Sequence, residues 1–223
     1  MTQNMASYLQ ADEFFDYNHE AVINFAERHV SNRTSQIEIA RELYLAVRDG
    51  FVYNPYQFVF EAEQFKASHC VQQKESYCIP KAVLLGACAR YFNIPARLGL
   101  ADVKNHISSP RLLKLLGSDV FVMHGYVELY LDGQWVKATP AFDAALCRRV
   151  GIHPLEFSGK EDSVFQEYNL AGHKHMQYLN DHGTFESVPV DYIYNGVKTA
   201  YPHLNLEKWQ ETNEDAIFTE KHN

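Results

Sequence analysis

One of the four cysteines in this chain stands where a sulfur can be made reactive. In Tyr77-Cys78-Ile79-Pro80 the proline must fall in the first turn of any helix that follows, since only there does its missing N–H cost nothing. Cys78 is then at or beside the first helical residue. From there to Phe92 only Lys81 and Arg90 carry charge among Ile79, Ala82, Val83, Leu84, Leu85, Ala87, Cys88 and Ala89. A helix apolar nearly all round belongs in the middle of a domain. A thiol at its N-terminus meets unpaired N–H groups and the positive end of the helix dipole, which favour thiolate over the ordinary pKa of about 8.5. The same N–H groups can donate to an oxyanion, so one location supplies nucleophile and oxyanion hole. Cys70, Cys88 and Cys147 read as packed, reduced thiols. Four cysteines are too few for a disulfide scaffold, and none forms the C-x-x-C pair of a zinc site.

A base for such a thiol is available in a hairpin. Val120, Phe121, Val122, Val127, Leu129, Tyr130 and Leu131 are strand formers, and Asp132-Gly133 is a strong two-residue turn signal. That turn sets Leu131 opposite Gln134, Tyr130 opposite Trp135, Leu129 opposite Val136 and Glu128 opposite Lys137. An aromatic pair and an opposite-charge pair support the register. His124 lies in the first strand, and the same register extended puts it opposite Ala141, with Thr139 and Asp143 as diagonal neighbours. Asp143 there would accept from the imidazole, fix its tautomer and steady the imidazolium. Two competing features are visible: Asp143 can instead cap a helix from Ala144 to Arg149, and Pro140 disturbs any ladder it enters.

Around this pair the chain reads as mainly helical before and mixed after. Asn18 is placed to cap a helix from Glu20 to about His29. Ser35 and Glu38 have capping-box spacing, ahead of Ile37, Ala40, Leu43, Tyr44 and Val47 at helical intervals, with Gly50 as terminator. An aromatic loop follows from Phe51 to Phe60, then a helical stretch from about Glu61 to Cys70. Ala101 to Gly117 reads as a loop and a short helix beginning near Pro110. Beyond Asp143 the pattern is weak, and His203 to Asn223 reads as a polar helix or tail.

The bulk figures exclude several functions. With 223 residues, 46% hydrophobic and 22% charged, the chain is an ordinary globular protein best read as one domain. A net charge of −8 and the absence of any Lys/Arg-rich run argue against a nucleic-acid partner. No stretch nears the roughly twenty apolar residues of a membrane span, and Asp12, Glu13, Asp16 and Glu20 break up the start, so a cytoplasmic protein is expected. No Gly-rich phosphate cradle appears, and no cofactor is expected. Eleven histidines, among them His153, His173, His175 and His182, raise a metal-binding alternative, but no ligand motif supports it.

The run from Tyr77-Cys78-Ile79-Pro80 through Ala89-Arg90 to Ile94-Pro95-Ala96-Arg97 resembles the core signature of the transglutaminase-like superfamily. There a Cys opens an apolar helix that ends in an R-x-x-G-I-P-A-R-like segment, whereas Phe92-Asn93 here replace a small residue and the Gly. Phe121 to Glu128 with Gly133-Gln134-Trp135 resembles the family's His strand, turn and Trp. The family's Asp-Pro after that strand is Thr139-Pro140 in this chain. The resemblance implies an α+β fold with the papain-like arrangement: N-terminal helices and a buried Cys-bearing helix packed on an antiparallel sheet. It also implies one domain over residues 1–223 with its core at about 61–147. The implied chemistry is acyl transfer from an amide, in a peptide or a Gln or Asn side chain, through a Cys78 thioester with His124 as base and Asp143 as the acid. Thr139 is the alternative orienter. Gln72, six residues before Cys78, matches the offset of the oxyanion glutamine in papain-like enzymes, and Tyr53, Tyr77 and Tyr126 are the cleft candidates. The rival class is an inactive module of the same fold that binds a peptide without cleaving it.

Overall fold

The computed structural model describes residues 5–31, 33–106, 108–164, 170–172 and 176–204. The helices precede the main sheet in the chain. Helices α1 (Glu20–His29) and α2 (Gln36–Gly50) lead to the short strand β1 (Val52–Tyr53). Then come α3 (Ala67–Gln72), the short strand β2 (Glu75–Ser76) and α4 (Cys78–Tyr91). The sheet is made by β3 (Ala96–Asn105), β4 (Val120–Leu131), β5 (Gln134–Ala138) and β6 (Met176–Phe185), all antiparallel in the order β5-β4-β3-β6. Helices α5 (Pro110–Leu116), α6 (Ala144–Val150) and α7 (Val190–Ala200) fill the connections and the far end. Residues 205–223, and with them most of the expected C-terminal helix or tail, lie outside the described set, as do His173 and His175. No helix among the described residues is long and apolar enough to cross a membrane.

Helix α4 is the axis of the core. Every residue from Cys78 to Arg90 is buried, with α1, α2 and α3 against it on one side and β4 and β3 on the other. Its two cations are staples. Lys81, fully buried, donates to the carbonyls of Arg48 (2.8 Å), Phe51 (3.0 Å) and Ala141 (2.8 Å). Burial pulls its pKa down to about 8, against the opposing pull of Asp143. Arg90 donates to Ala96, Gln10 and Glu186 carbonyls and lies 3.8 Å over the Phe15 ring, so it ties both ends of the described chain to the helix. The helix stops at Asn93, whose φ of 58° is the left-handed conformation that asparagine tolerates better than most residues. This explains how Asn stands where the family has Gly.

The hairpin register is as read from the turn: Leu131 pairs Gln134, Tyr130 pairs Trp135, Leu129 pairs Val136 and Glu128 pairs Lys137. The Tyr130 and Trp135 rings meet edge to face at 5.3 Å. The charges are distributed otherwise than expected. Glu128 accepts from Arg97 Nε at 2.7 Å, and Lys137 reaches Asp181 at 3.1 Å. Strand β3 was not anticipated, because Ala101 to Asn105 read as loop; it is the sheet's second inner strand, with β4 and β6 on its flanks. Helix α1 is capped by His19, whose Nδ1 accepts from Ala21 N, and not by Asn18. Ser35 caps α2 by accepting from Glu38 N, as the spacing implied.

Replacing Lys81 by Met should strand three buried carbonyls and lower stability by about 3–5 kcal/mol. Urea titration followed by far-UV circular dichroism measures this; a loss under 1 kcal/mol would show that Lys81 is not a staple.

Candidate active site

Two close approaches bring the site together. The parallel pairs Val52–Glu75 and Tyr53–Ser76 lay β1 beside the two residues that precede Tyr77, so Tyr53 stands next to the start of α4. From the other side β4 comes so near the first turn of α4 that a Cβ on Gly125 would lie 2.8 Å from Ile79 Cα. No side chain is admitted there, and the His124–Gly125 peptide rests against the sulfur. The Gly125 and Ile79 backbone N–H groups lie close enough to the sulfur to favour its anion. A lone glycine in a strand signals such an approach, and Gly125 carried that signal unread.

Cys78 is the first residue of α4, with Pro80 in the first turn as required. The expected thiolate is not the resting state. Burial raises the Cys78 pKa to about 11, outweighing the neighbouring backbone N–H groups that lower it. His124 is buried as well, and burial pulls its pKa from 6.5 down to about 4. Thiol and imidazole are both neutral at pH 7. Burial raises the Cys70 thiol to about 11, the Cys147 thiol likewise, and Cys88 further still.

His124 is aimed by an irregularity in its strand. Between the pairs Ala101–His124 and Val103–Phe121 the β4 chain carries one extra residue, and Met123 there has φ 57°. A side chain bulkier than Asn in that region costs about 1 kcal/mol or more and persists only where neighbours hold it. Asp102 does so: its Oδ1 accepts from Met123 N at 3.1 Å and lies 2.8 Å from His182 Nε2. His182 Nδ1 is in turn 2.8 Å from the Tyr192 hydroxyl on α7. Asp102 and His182 were not singled out for this role, since no local pattern links residues so far apart.

The remaining expectations divide. Cys78, His124, Tyr53 and Tyr77 line one cavity. His124 and Thr139 line a second, smaller one, and the Thr139 hydroxyl is buried with no hydrogen-bond partner among the described residues. Asp143 lies elsewhere. The β4–β5 ladder ends at Val127–Ala138, so the extended register fails at Pro140. Thr139 N donates instead to Ser163 O, Tyr44 hydroxyl donates to Thr139 O and Lys81 holds Ala141 O. Asp143 Oδ1 caps α6 at Leu146 N (2.8 Å) and its Oδ2 accepts from Tyr53 N (2.9 Å). Gln72 is exposed at the end of α3. Tyr126 is fully buried in a core cluster with Ala101, Val103 and Met176, its hydroxyl 3.3 Å from Asp181, so it is no part of the cleft. Among the described residues no group of three or more His, Cys, Asp or Glu is placed to hold a metal.

The sequence profile described as the transglutaminase-like superfamily matches residues 23–140. The chain belongs to that superfamily. The matched transglutaminase-like region holds the Cys78 helix, the His124 strand and Thr139. No curated protein matches the chain. Among solved structures it is similar, at 14% identity and a TM-score of 0.45, to "a Putative Cysteine Protease from Cytophaga hutchinsonii". The match covers 83% of this chain and 56% of that one, so this transglutaminase-like chain spans little more than half that protein's length.

His124 makes stability depend on pH. The unfolded imidazole takes a proton near 6.5 and the folded one only near 4, so its contribution is complete above 6.5 and is lost as pH falls toward 4. The protein should be about 2 kcal/mol less stable at pH 5 than at pH 8 from this residue alone. His124→Gln should flatten that slope in urea titrations at the two pH values; an unchanged slope would refute the assignment.

Proposed function

We propose that this protein is a cysteine-dependent enzyme that cleaves or transfers the acyl group of an amide through a thioester on Cys78. The observation that carries the reading is the place of Cys78 as first residue of α4, where the β4 backbone at Gly125 closes on the first helical turn, in a cavity that His124 also lines. In the first step sulfur attacks the amide carbonyl carbon, and His124 takes the thiol proton across the cavity. The carbonyl oxygen gains the charge and draws the N–H groups of the α4 first turn away from sulfur. His124 then gives its proton to the departing amine as the C–N bond breaks. Water or a second amine releases the acyl group by the reverse sequence.

A neutral pair suits this order of events. With the thiol near 11 and the imidazole near 4, sulfur loses its proton only as the new bond forms. Burial is the cause of the lowered His124 value, and the Asp143 carboxylate is engaged elsewhere, at Tyr53 N and the α6 cap. We read Thr139, at the family's Asp position and on the same small cavity as His124, as the neutral orienter of the imidazole. Asp143 is a positioning residue, fixing Tyr53 on the cavity wall. That the substrate is an amide follows the family reading.

A limiting dose of iodoacetamide at pH 7, mapped by peptide mass, should modify Cys78 before Cys70, Cys88 or Cys147. Another cysteine modified first would refute the nucleophile. Thr139→Asp, if it folds, should raise the Cys78 alkylation rate at pH 7 by about tenfold or more, because an anion beside His124 favours the thiolate–imidazolium pair. Asp143→Asn keeps the helix cap and should change that rate by less than about twofold. The opposite ranking would return the acid's role to Asp143.

A further inference from the structure

One side of the cavity beside Cys78 is walled by the His strand and the helices before and after it, α5 and α7. Leu112 and Leu116 of α5, Phe121 and Met123 of β4, and Val197 of α7 with Tyr201 just beyond it form the walls facing Cys78. Among the described residues, no Asp, Glu, Lys or Arg lines it. The Tyr201 hydroxyl is occupied, donating to Val120 O at 2.7 Å and accepting from Val122 N at 3.1 Å. A charged group entering the cavity would therefore lose its water and meet no counter-ion. The volume is about 100 Å³. An apolar cavity of roughly 150 Å³ holds benzene, so this one suits a branched aliphatic group smaller than an aromatic ring.

We infer that the acyl group carried by Cys78 bears a small branched aliphatic side chain, seated between Leu112, Leu116 and Val197. The inference rests on the proposed nucleophile and names its substrate class. The acyl carbon bonds to sulfur, so its substituent occupies the space that sulfur borders, while the amine departs. Acidic and basic acyl groups are disfavoured by the lining, and aromatic ones by the volume.

The test uses 4-nitrophenyl esters of acetic, isovaleric and succinic acids with the full chain. Sulfur attacks the ester carbonyl, the S–C bond forms, the C–O bond breaks and 4-nitrophenolate leaves with the electron pair. The thiol proton goes to His124. Acylation rates are taken from intact mass and nitrophenolate release, and divided by each ester's rate with glutathione. Isovalerate should then exceed succinate by about tenfold or more, the scale set by burying an aliphatic group. Val197→Phe, which fills the cavity, should lower the isovaleryl rate at least about tenfold more than the acetyl rate. Leu116→Phe should act the same way if Val197→Phe fails to fold. Equal rates for isovalerate and succinate, or an isovaleryl preference that survives both substitutions, would overturn the inference while leaving Cys78 as nucleophile. Acetyl groups found on Cys70, Cys88 or Cys147 in place of Cys78 would overturn the nucleophile and the inference together.

Discussion

The closeness of β4 to the first turn of α4 is the constraint on which the rest of the site depends. With only a hydrogen at Gly125, strand and helix meet backbone to backbone, and the thiol at the helix start lies beside backbone N–H groups of both. Neither element could hold that relation alone. A helix end has free donors but no second wall, and a strand has no way to fix its distance from a helix except by what it lacks at the contact point. Because β4 carries His124 at the adjacent position, the same contact that shelters the sulfur also decides where the imidazole begins.

What maintains this contact is polar and buried, not merely apolar. Lys81, one turn along from Cys78, gathers carbonyls from the end of α2, from Phe51 and from Ala141. Asp143 fastens Tyr53 to the start of α6. Asp102 holds the left-handed Met123 and is itself held by His182. These groups face inward because each satisfies backbone atoms that the irregular segments around the cavity leave without ladder partners. The segments around the Cys78 cavity are irregular, and regular structure there would close that space. The buried side chains do for them what strands do for one another.

Local features were legible from the amino-acid sequence, and long-range ones were not. Pro80 located the start of α4, and Asp132-Gly133 set five strand pairs, because both act through backbone geometry within a few residues. The register argument failed where a distant group intervened: Tyr44 and Lys81 take the carbonyls of Thr139 and Ala141, so the chain leaves β4 just before the residue assigned as acid. Strand β3 was missed because its Asp102 and Lys104 read as loop polarity. Asp102 in fact turns to a bulge and a histidine some eighty residues away. The ionisation of Cys78 was misjudged for a related reason. Helix ends favour an anion, and that effect is local, but burial opposes it and depends on everything packed around the site.

The protonated resting state of Cys78 also bears on the protein's durability. Peroxides and disulfides react with thiolate, not with thiol, so a sulfur kept near pKa 11 climbs the oxidation ladder slowly. Enzymes that store a ready thiolate gain speed and accept inactivation by oxidants as its companion. Here the resting sulfur is the neutral thiol. The same dry enclosure that makes the sulfur a reluctant nucleophile shields it from stress that would silence a more eager one.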